Sequence, residues 1–330
     1  MADNVAEDAE IINHYQETGC QTLYTADFYR QPYSIERFKD DDDNIRYLTG
    51  FKNYDHLMFL YSVLLPEAES LVYKPRAISP INQMFLTLIR LRLNLDDIML
   101  SINFSITRQT VSKITTQWIN FMYLELSELN IWPSKKTIDD FFPVNFQKAF
   151  PKTRVILDAT EIPIEKPSNV NAQRMTFSSY KNRNTLKTMV GVSPWGQVTY
   201  LSDCYGGGTS DRQIIERSSL VKDGKLLFEK GDSIMADRGI MVQDLFSAID
   251  VQVNNPTTMK GKNQLPAATV VNDRNIASKR IHVERVIGHA KTYKILTTPL
   301  CYEKAGLSER IIKLCFYLVN FRECIVGPIA

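Results

Sequence analysis

Three carboxylates in this 330-residue chain stand where they could share divalent cations. Asp158 follows the β-rich run Arg154-Val155-Ile156-Leu157, and Asp237 follows Ser233-Ile234-Met235-Ala236. If those runs are parallel neighbouring strands, both acids emerge at one edge of a sheet. Glu284 lies in the amphipathic stretch 280–291 (RIHVERVIGHAK). At 3.6 residues per turn, Arg280, Glu284 and Lys291 fall within about 40° of one another around that helix. Acids gathered together repel unless a cation neutralises them. Two divalent cations, Mg²⁺ or Mn²⁺, about 3.5–4 Å apart would activate a water or a 3′-hydroxyl beside a phosphodiester and stabilise the leaving oxygen. Hard oxygen donors suit those ions, and the scarcity of histidine and cysteine argues against zinc. Arg280 and Lys291 would then hold the phosphate. The competing reading is that 37 acids offer many chance combinations and that a strand-end Asp commonly closes a turn.

The elements that must position these groups are legible in outline. After Pro151 come short β-rich runs at 154–157, 189–192 and 198–201, a break at Gly206-Gly207-Gly208, a helical stretch from Asp211, and a buried strand ending at Asp237. A helix at 242–249, a strand at 251–254 and helices near 274–294 and 308–321 follow. Strands first, then alternating helix and strand, indicate an α/β fold: a mixed sheet flanked by helices over residues 151–330. Residues 46–150 read as an all-helical domain, because apolar residues recur there at spacings of three and four. Within it, Asp96 to Asn103 and a helix from Thr107 through Trp118 are joined by Phe104-Ser105-Ile106, the layout of a helix-turn-helix. The second helix would bury Val111, Ile114 and Trp118 and display Arg108, Gln109, Ser112 and Lys113 to a DNA groove. A plain helical hairpin with a solvated polar face is the alternative.

Composition narrows the function classes. No stretch approaches the ~20 apolar residues of a membrane span, and the acidic start has no secretory character. The five cysteines are scattered without a paired motif, as expected of reduced thiols. Residues 1–45 hold 11 acids against 3 bases, so an acidic and loosely ordered leader precedes a basic body. A basic body suits a polyanionic partner.

Five ordered stretches carry a resemblance: 155–163 (VILDATEIP), 179–187 (SYKNRNTLK), 206–213 (GGGTSDRQ), 231–239 (GDSIMADRG) and 280–291. They are similar to the successive blocks of Harbinger-type DDE transposases. The stretches 83–95 (QMFLTLIRLRLNL) and 105–118 resemble the helix-turn-helix that precedes the nuclease in such proteins. The resemblance implies a ribonuclease-H-like nuclease with Asp158, Asp237 and Glu284 as catalytic, metal-holding acids. The Arg-x3-Glu-x6-Lys spacing is met by Arg280, Glu284 and Lys291, while the tyrosine of bacterial relatives is Ala277 here. Asp211 is a rival second acid whose plainer reading is a helix cap. Glu161 is expected to face away from Asp158 and to pair with a base. Lys181, Arg183 and Lys187 could line a DNA channel or form a solvated strand face. Double-stranded DNA at transposon ends and target, assembly as a homo-oligomer, a separate DNA-binding partner protein and nuclear residence complete the expectation. In place of the family's Pro-Pro-Phe stands Pro256-Thr257-Thr258. The rival functions are a domesticated DNA-binding or scaffold protein that no longer cuts, and a ribonuclease acting on RNA–DNA hybrids.

Overall fold

Unbroken apolar character in two short runs, Val155-Ile156-Leu157 and Ile234-Met235-Ala236, sets the architecture. All six side chains are fully buried, which happens only when a strand is covered on both faces. In the computed structural model, which describes residues 32–68, 75, 77–257, 265–302 and 305–323, these runs are neighbouring strands. The strands are β1 (Thr153–Pro163), β2 (Phe177–Ser178), β3 (Arg183–Val192), β4 (Val198–Leu201), β5 (Tyr205–Gly206), β6 (Ser233–Ala236) and β7 (Gln252–Asn254).

The sheet runs β2-β3-β1-β6-β7, with β4 and β5 also pairing to β3. The β1, β3 and β4 strands form an antiparallel meander, and β6 and β7 add parallel to β1. This mixed α/β sheet is the ribonuclease-H-like arrangement expected from the sequence. One face carries Val155, Leu157, Met189 and Ile234 into a cluster with Ile214, Ile215, Phe228 and Phe246. The opposite face sends Ile156, Val190, Val192 and Met235 into a larger cluster that also holds Trp118, Val283, Val286 and Phe316.

That larger cluster is continuous across position 150. Helices α1 (Asp42–Thr49), α2 (Tyr54–Ala68), α3 (Pro80–Leu93), α4 (Asp97–Phe104) and α5 (Arg108–Glu128) form the helical part. Two short helices, α6 (Lys135–Asp140) and α7 (Val144–Ala149), lead into β1. Beyond it lie α8 (Val170–Thr176), α9 (Asp211–Arg217), α10 (Ala267–Ala290) and α11 (Ala305–Val319). Buried Phe121, Met122 and Leu126 extend α5 past Trp118, and α5 packs along α11. The last helix thus belongs to the same packed body as the first ones.

The leader corrects the sequence reading. From residue 32 onward it is ordered: Ile35, Phe38 and Ile45 are buried, and the acidic run begins a helix. The Asp41 carboxylate accepts from the Asn44 amide at 3.0 Å, and Asp42 and Asp43 occupy the first turn, where the helix dipole favours negative charge. Residues 1–31 lie outside the described residues. None of the described helices is long and apolar enough to cross a membrane. Cys204, Cys301 and Cys315 are free thiols.

The helix-turn-helix forms as read. The Asp96 carboxylate caps α4 by accepting from the Met99 amide at 2.7 Å, Ser105 ends it in a left-handed conformation, and the Thr107 hydroxyl caps α5 by accepting from Thr110. Trp118 is buried, and its indole N–H donates to Gln83 Oε1 at 2.9 Å. The Gln83 amide in turn donates to the Ile78 carbonyl, so one buried pair joins α3, α5 and the entrance to α3.

Candidate active site

Register brings the first two acids together. Pairing between β1 and β6 ends at Leu157 and Ala236, so Asp158 and Asp237 directly follow the last paired residues of two parallel strands, which lie about 4.8 Å apart where they pair. β1 continues past this point against β3 alone, leaving its β6-side edge open. Helix α10 packs across this region, with Val283, Val286 and Ile287 inward and Glu284 exposed. It starts earlier than the sequence suggested and ends at Ala290, leaving Lys291 as its C-cap, where a cation complements the dipole.

The third acid meets the others through Arg280. One turn before Glu284, this guanidinium is 2.8 Å from Asp237, 3.8 Å from Asp158 and 3.7 Å from Glu284. The last two contacts share one nitrogen, so those two carboxylate oxygens are less than about 8 Å apart, inside the ~10 Å that groups sharing a cation pair span. Arg280, expected on phosphate, is thus engaged by the acids. Among the described residues, its own Nε is buried without a hydrogen-bond partner. Burial pushes the Asp158 carboxyl up to about 6; Arg280 opposes this, while Asp237 and Glu284 add to it. Among the described residues, no three histidine, cysteine or acidic side chains converge on a single ion position. A guanidinium holds the middle of the set.

The donor set nonetheless fits divalent metal. Three carboxylates supply only hard oxygen, and the Asp237 and Glu284 side chains are about half exposed. The group around which they gather is a cation.

A cleft of about 600 Å³ contains all three acids together with Arg280, Lys181, Lys187 and Lys291. Burial lowers the Lys291 ammonium from its ordinary value, as does nearby Lys181. Lys187 is mostly buried and is held by Glu161 at 3.6 Å, Asp211 at 3.3 Å and the Thr209 carbonyl at 3.1 Å. Glu161 therefore does pair with a base, yet it also lines the cleft with Asp158, because both faces of β1 border it once β6 has ended. Asp211 lines it too, and the cap of α9 is Ser210, whose hydroxyl accepts from the Gln213 amide in a capping box. The Thr257 amide and hydroxyl donate to Asp273 of α10, fixing the near end of the altered loop; Thr258 lies outside the described residues. Away from the cleft, Arg108, Gln109, Ser112 and Lys113 are all exposed on α5, opposite buried Val111, Ile114 and Trp118.

Sequence reasoning missed Tyr180. It stands exposed at the rim of this cleft, in a turn whose short polar run carries no periodic signal.

Two family models match the chain. One, described as DDE superfamily endonuclease, covers residues 157–320 and so spans Asp158, Asp237 and Glu284. The other, described as helix-turn-helix of DDE superfamily endonuclease, covers residues 76–128 and spans α3, α4 and α5. A search among curated proteins returned no match. The chain carries a DDE superfamily endonuclease domain, preceded by the helix-turn-helix of that superfamily.

Proposed function

We propose that this protein is a transposase of the Harbinger type that cuts DNA phosphodiesters and joins the freed 3′-hydroxyl to target DNA. The observation that carries the reading is the gathering of Asp158, Asp237 and Glu284 around one buried cationic group, in a cleft that Lys181, Lys187 and Lys291 also line. Those three side chains would hold two divalent cations, Mg²⁺ or Mn²⁺. Bound there, such ions supply charge neutralisation, an activated water or 3′-hydroxyl, and stabilisation of the leaving oxygen.

The chain's own residues do the rest. Below about pH 6, where burial keeps the Asp158 carboxyl protonated, that proton has to leave before the site can be loaded. Arg280 keeps the acids gathered before loading and must release at least one carboxylate for it. Once released, its guanidinium would be available to hold a DNA phosphate, as would the Lys291 ammonium at the end of α10. The exposed face of α5, with Arg108, Gln109, Ser112 and Lys113, docks on the duplex at the transposon ends. Two ends and a target require more than one copy of the chain, and a nuclear site of action accords with this role.

A second reading has its own observation. Arg280 fills the centre of the acid set as a permanent counter-charge would, as expected of a domesticated DNA-binding protein. Nicking of supercoiled DNA in Mn²⁺ decides between the two. The transposase reading predicts nicking by the wild type and a loss of at least about 100-fold in Asp158→Ala; equal traces from both proteins, or no nicking, favour the scaffold.

A further inference from the structure

The β2–β3 hairpin presents an unusual tip. Phe177 pairs with Asn184 and Ser178 with Arg183, leaving Ser179-Tyr180-Lys181-Asn182 as a four-residue turn. Asn182 takes the left-handed conformation that asparagine tolerates, and the Lys181 amide donates to the Ser178 hydroxyl at 3.2 Å. Below the tip the packing is tight. The buried Asn184 amide donates to the Gln173 carbonyl and to the Thr176 hydroxyl. A Cβ on Gly207 would lie 2.0 Å from Thr185 Oγ1, and one on Gly206 would lie 2.3 Å from the Met175 carbonyl, so the glycine run is pressed directly against the hairpin base.

On this rigid base sits a large aromatic side chain with little to touch. Tyr180 is 83% exposed, although it lines the same cleft as the three acids. Its one aromatic or cationic neighbour among the described residues is the Lys181 ammonium, 4.5 Å from the ring centroid. A flat π-face and an ammonium on one fixed turn match the two halves of a nucleotide, its base and its phosphate. Meanwhile Asp158 is the most recessed of the three acids, its side chain 25% exposed against 48% for Asp237 and 56% for Glu284. A phosphate in a stacked duplex reaches such a recessed point more easily when the neighbouring nucleotide leaves the stack.

We infer that Tyr180 is a stacking platform for an unpaired base beside the scissile phosphate, with Lys181 holding that nucleotide's backbone. The inference rests on the nuclease reading of the cleft and adds to it a positioning residue and a preferred substrate: DNA unpaired next to the cut.

Binding of fluorescently labelled oligonucleotides to the full chain, in Ca²⁺, tests it. Single-stranded DNA, where bases are free, is compared with a fully paired duplex. Stacking is worth about 5-fold to 150-fold in affinity per base, so Tyr180→Ala should weaken single-strand binding by that factor and duplex binding far less. Tyr180→Phe and Tyr180→Trp keep the π-face and should remain close to wild type. Lys181→Ala should weaken both DNAs and flatten the salt dependence. Equal single-strand affinity for wild type and Tyr180→Ala overturns the inference, as does Tyr180→Phe losing as much as Tyr180→Ala. The same two proteins are then compared in Mn²⁺ nicking: a wild type that nicks while Tyr180→Ala nicks and binds equally well sinks the platform and leaves the nuclease standing. A wild type that binds neither DNA removes both.

Discussion

Arg280 Nη1 lies 2.8 Å from the Asp237 carboxylate, the shortest of three ion pairs that this one side chain makes to the candidate catalytic acids. The acids are therefore held ready by an internal cation that has to yield to external ones. Most of what can be measured about the site follows from that competition.

Without divalent cations, Asp158 is a liability in its charged form. Its folded carboxyl titrates near 6, above its ordinary 3.8, because burial outweighs the pull of Arg280. Between those values the folded chain keeps a proton that the unfolded chain has lost, so unfolding free energy falls as pH rises through the window. Asp158→Asn removes the effect. In chelator, thermal unfolding of the two proteins should coincide below pH 3.8 and separate by pH 7, with the variant melting higher. A variant that melts lower at pH 7 means that the Arg280 pair outweighs burial after all.

The buried Gln83–Trp118 pair should govern the helix-turn-helix. Gln83→Leu strands the indole N–H and opens the bond to the Ile78 carbonyl, at a cost of about 1–3 kcal/mol. Urea denaturation followed by tryptophan fluorescence reads this as a lower midpoint with an unchanged slope. A midpoint equal to that of the wild type shows that the pair contributes nothing net.

Gly288 separates stability from function. It is exposed on α10, one turn past Glu284, and a Cβ there would meet nothing within 4 Å. Gly288→Ala should therefore stabilise the helix by up to about 1 kcal/mol. If a DNA backbone passes over this turn, nicking drops even as the melting temperature rises. Nicking that stays level assigns the gap to chance.

Arg108 is exposed at the start of α5, where a groove-bound helix makes its contacts. Arg108→Ala should weaken duplex binding and reduce the slope of log affinity against log salt by about 1. An unchanged slope identifies this face as merely solvated.

The parts of the fold that could be read from sequence were those written in buried strands and caps. Asp158 and Asp237 each end a run that two-sided burial makes uniformly apolar, and Asp96 and Thr107 cap helices with the residue types that do so. The full lengths of β1 and β3 were not readable, because their outer halves are polar and are tied by a cross-strand pair, Glu161 with Lys187. Residues 32–45 of the acidic leader were taken for loose chain because their charge masked three anchors, Ile35, Phe38 and Ile45. The direction of Arg280 depends on where two distant carboxylates, Asp158 and Asp237, come to rest, and helical spacing encodes only its i,i+4 pairing with Glu284.

The central claim is that Asp158, Asp237 and Glu284 form one cation site. A crystal soaked in Mn²⁺ and measured for anomalous scattering tests it most directly. The account predicts two Mn²⁺ peaks about 3.5–4 Å apart, ligated by these carboxylates, with Arg280 turned off at least one of them. No peak at the cleft, with Arg280 still paired to all three acids at saturating Mn²⁺, contradicts it.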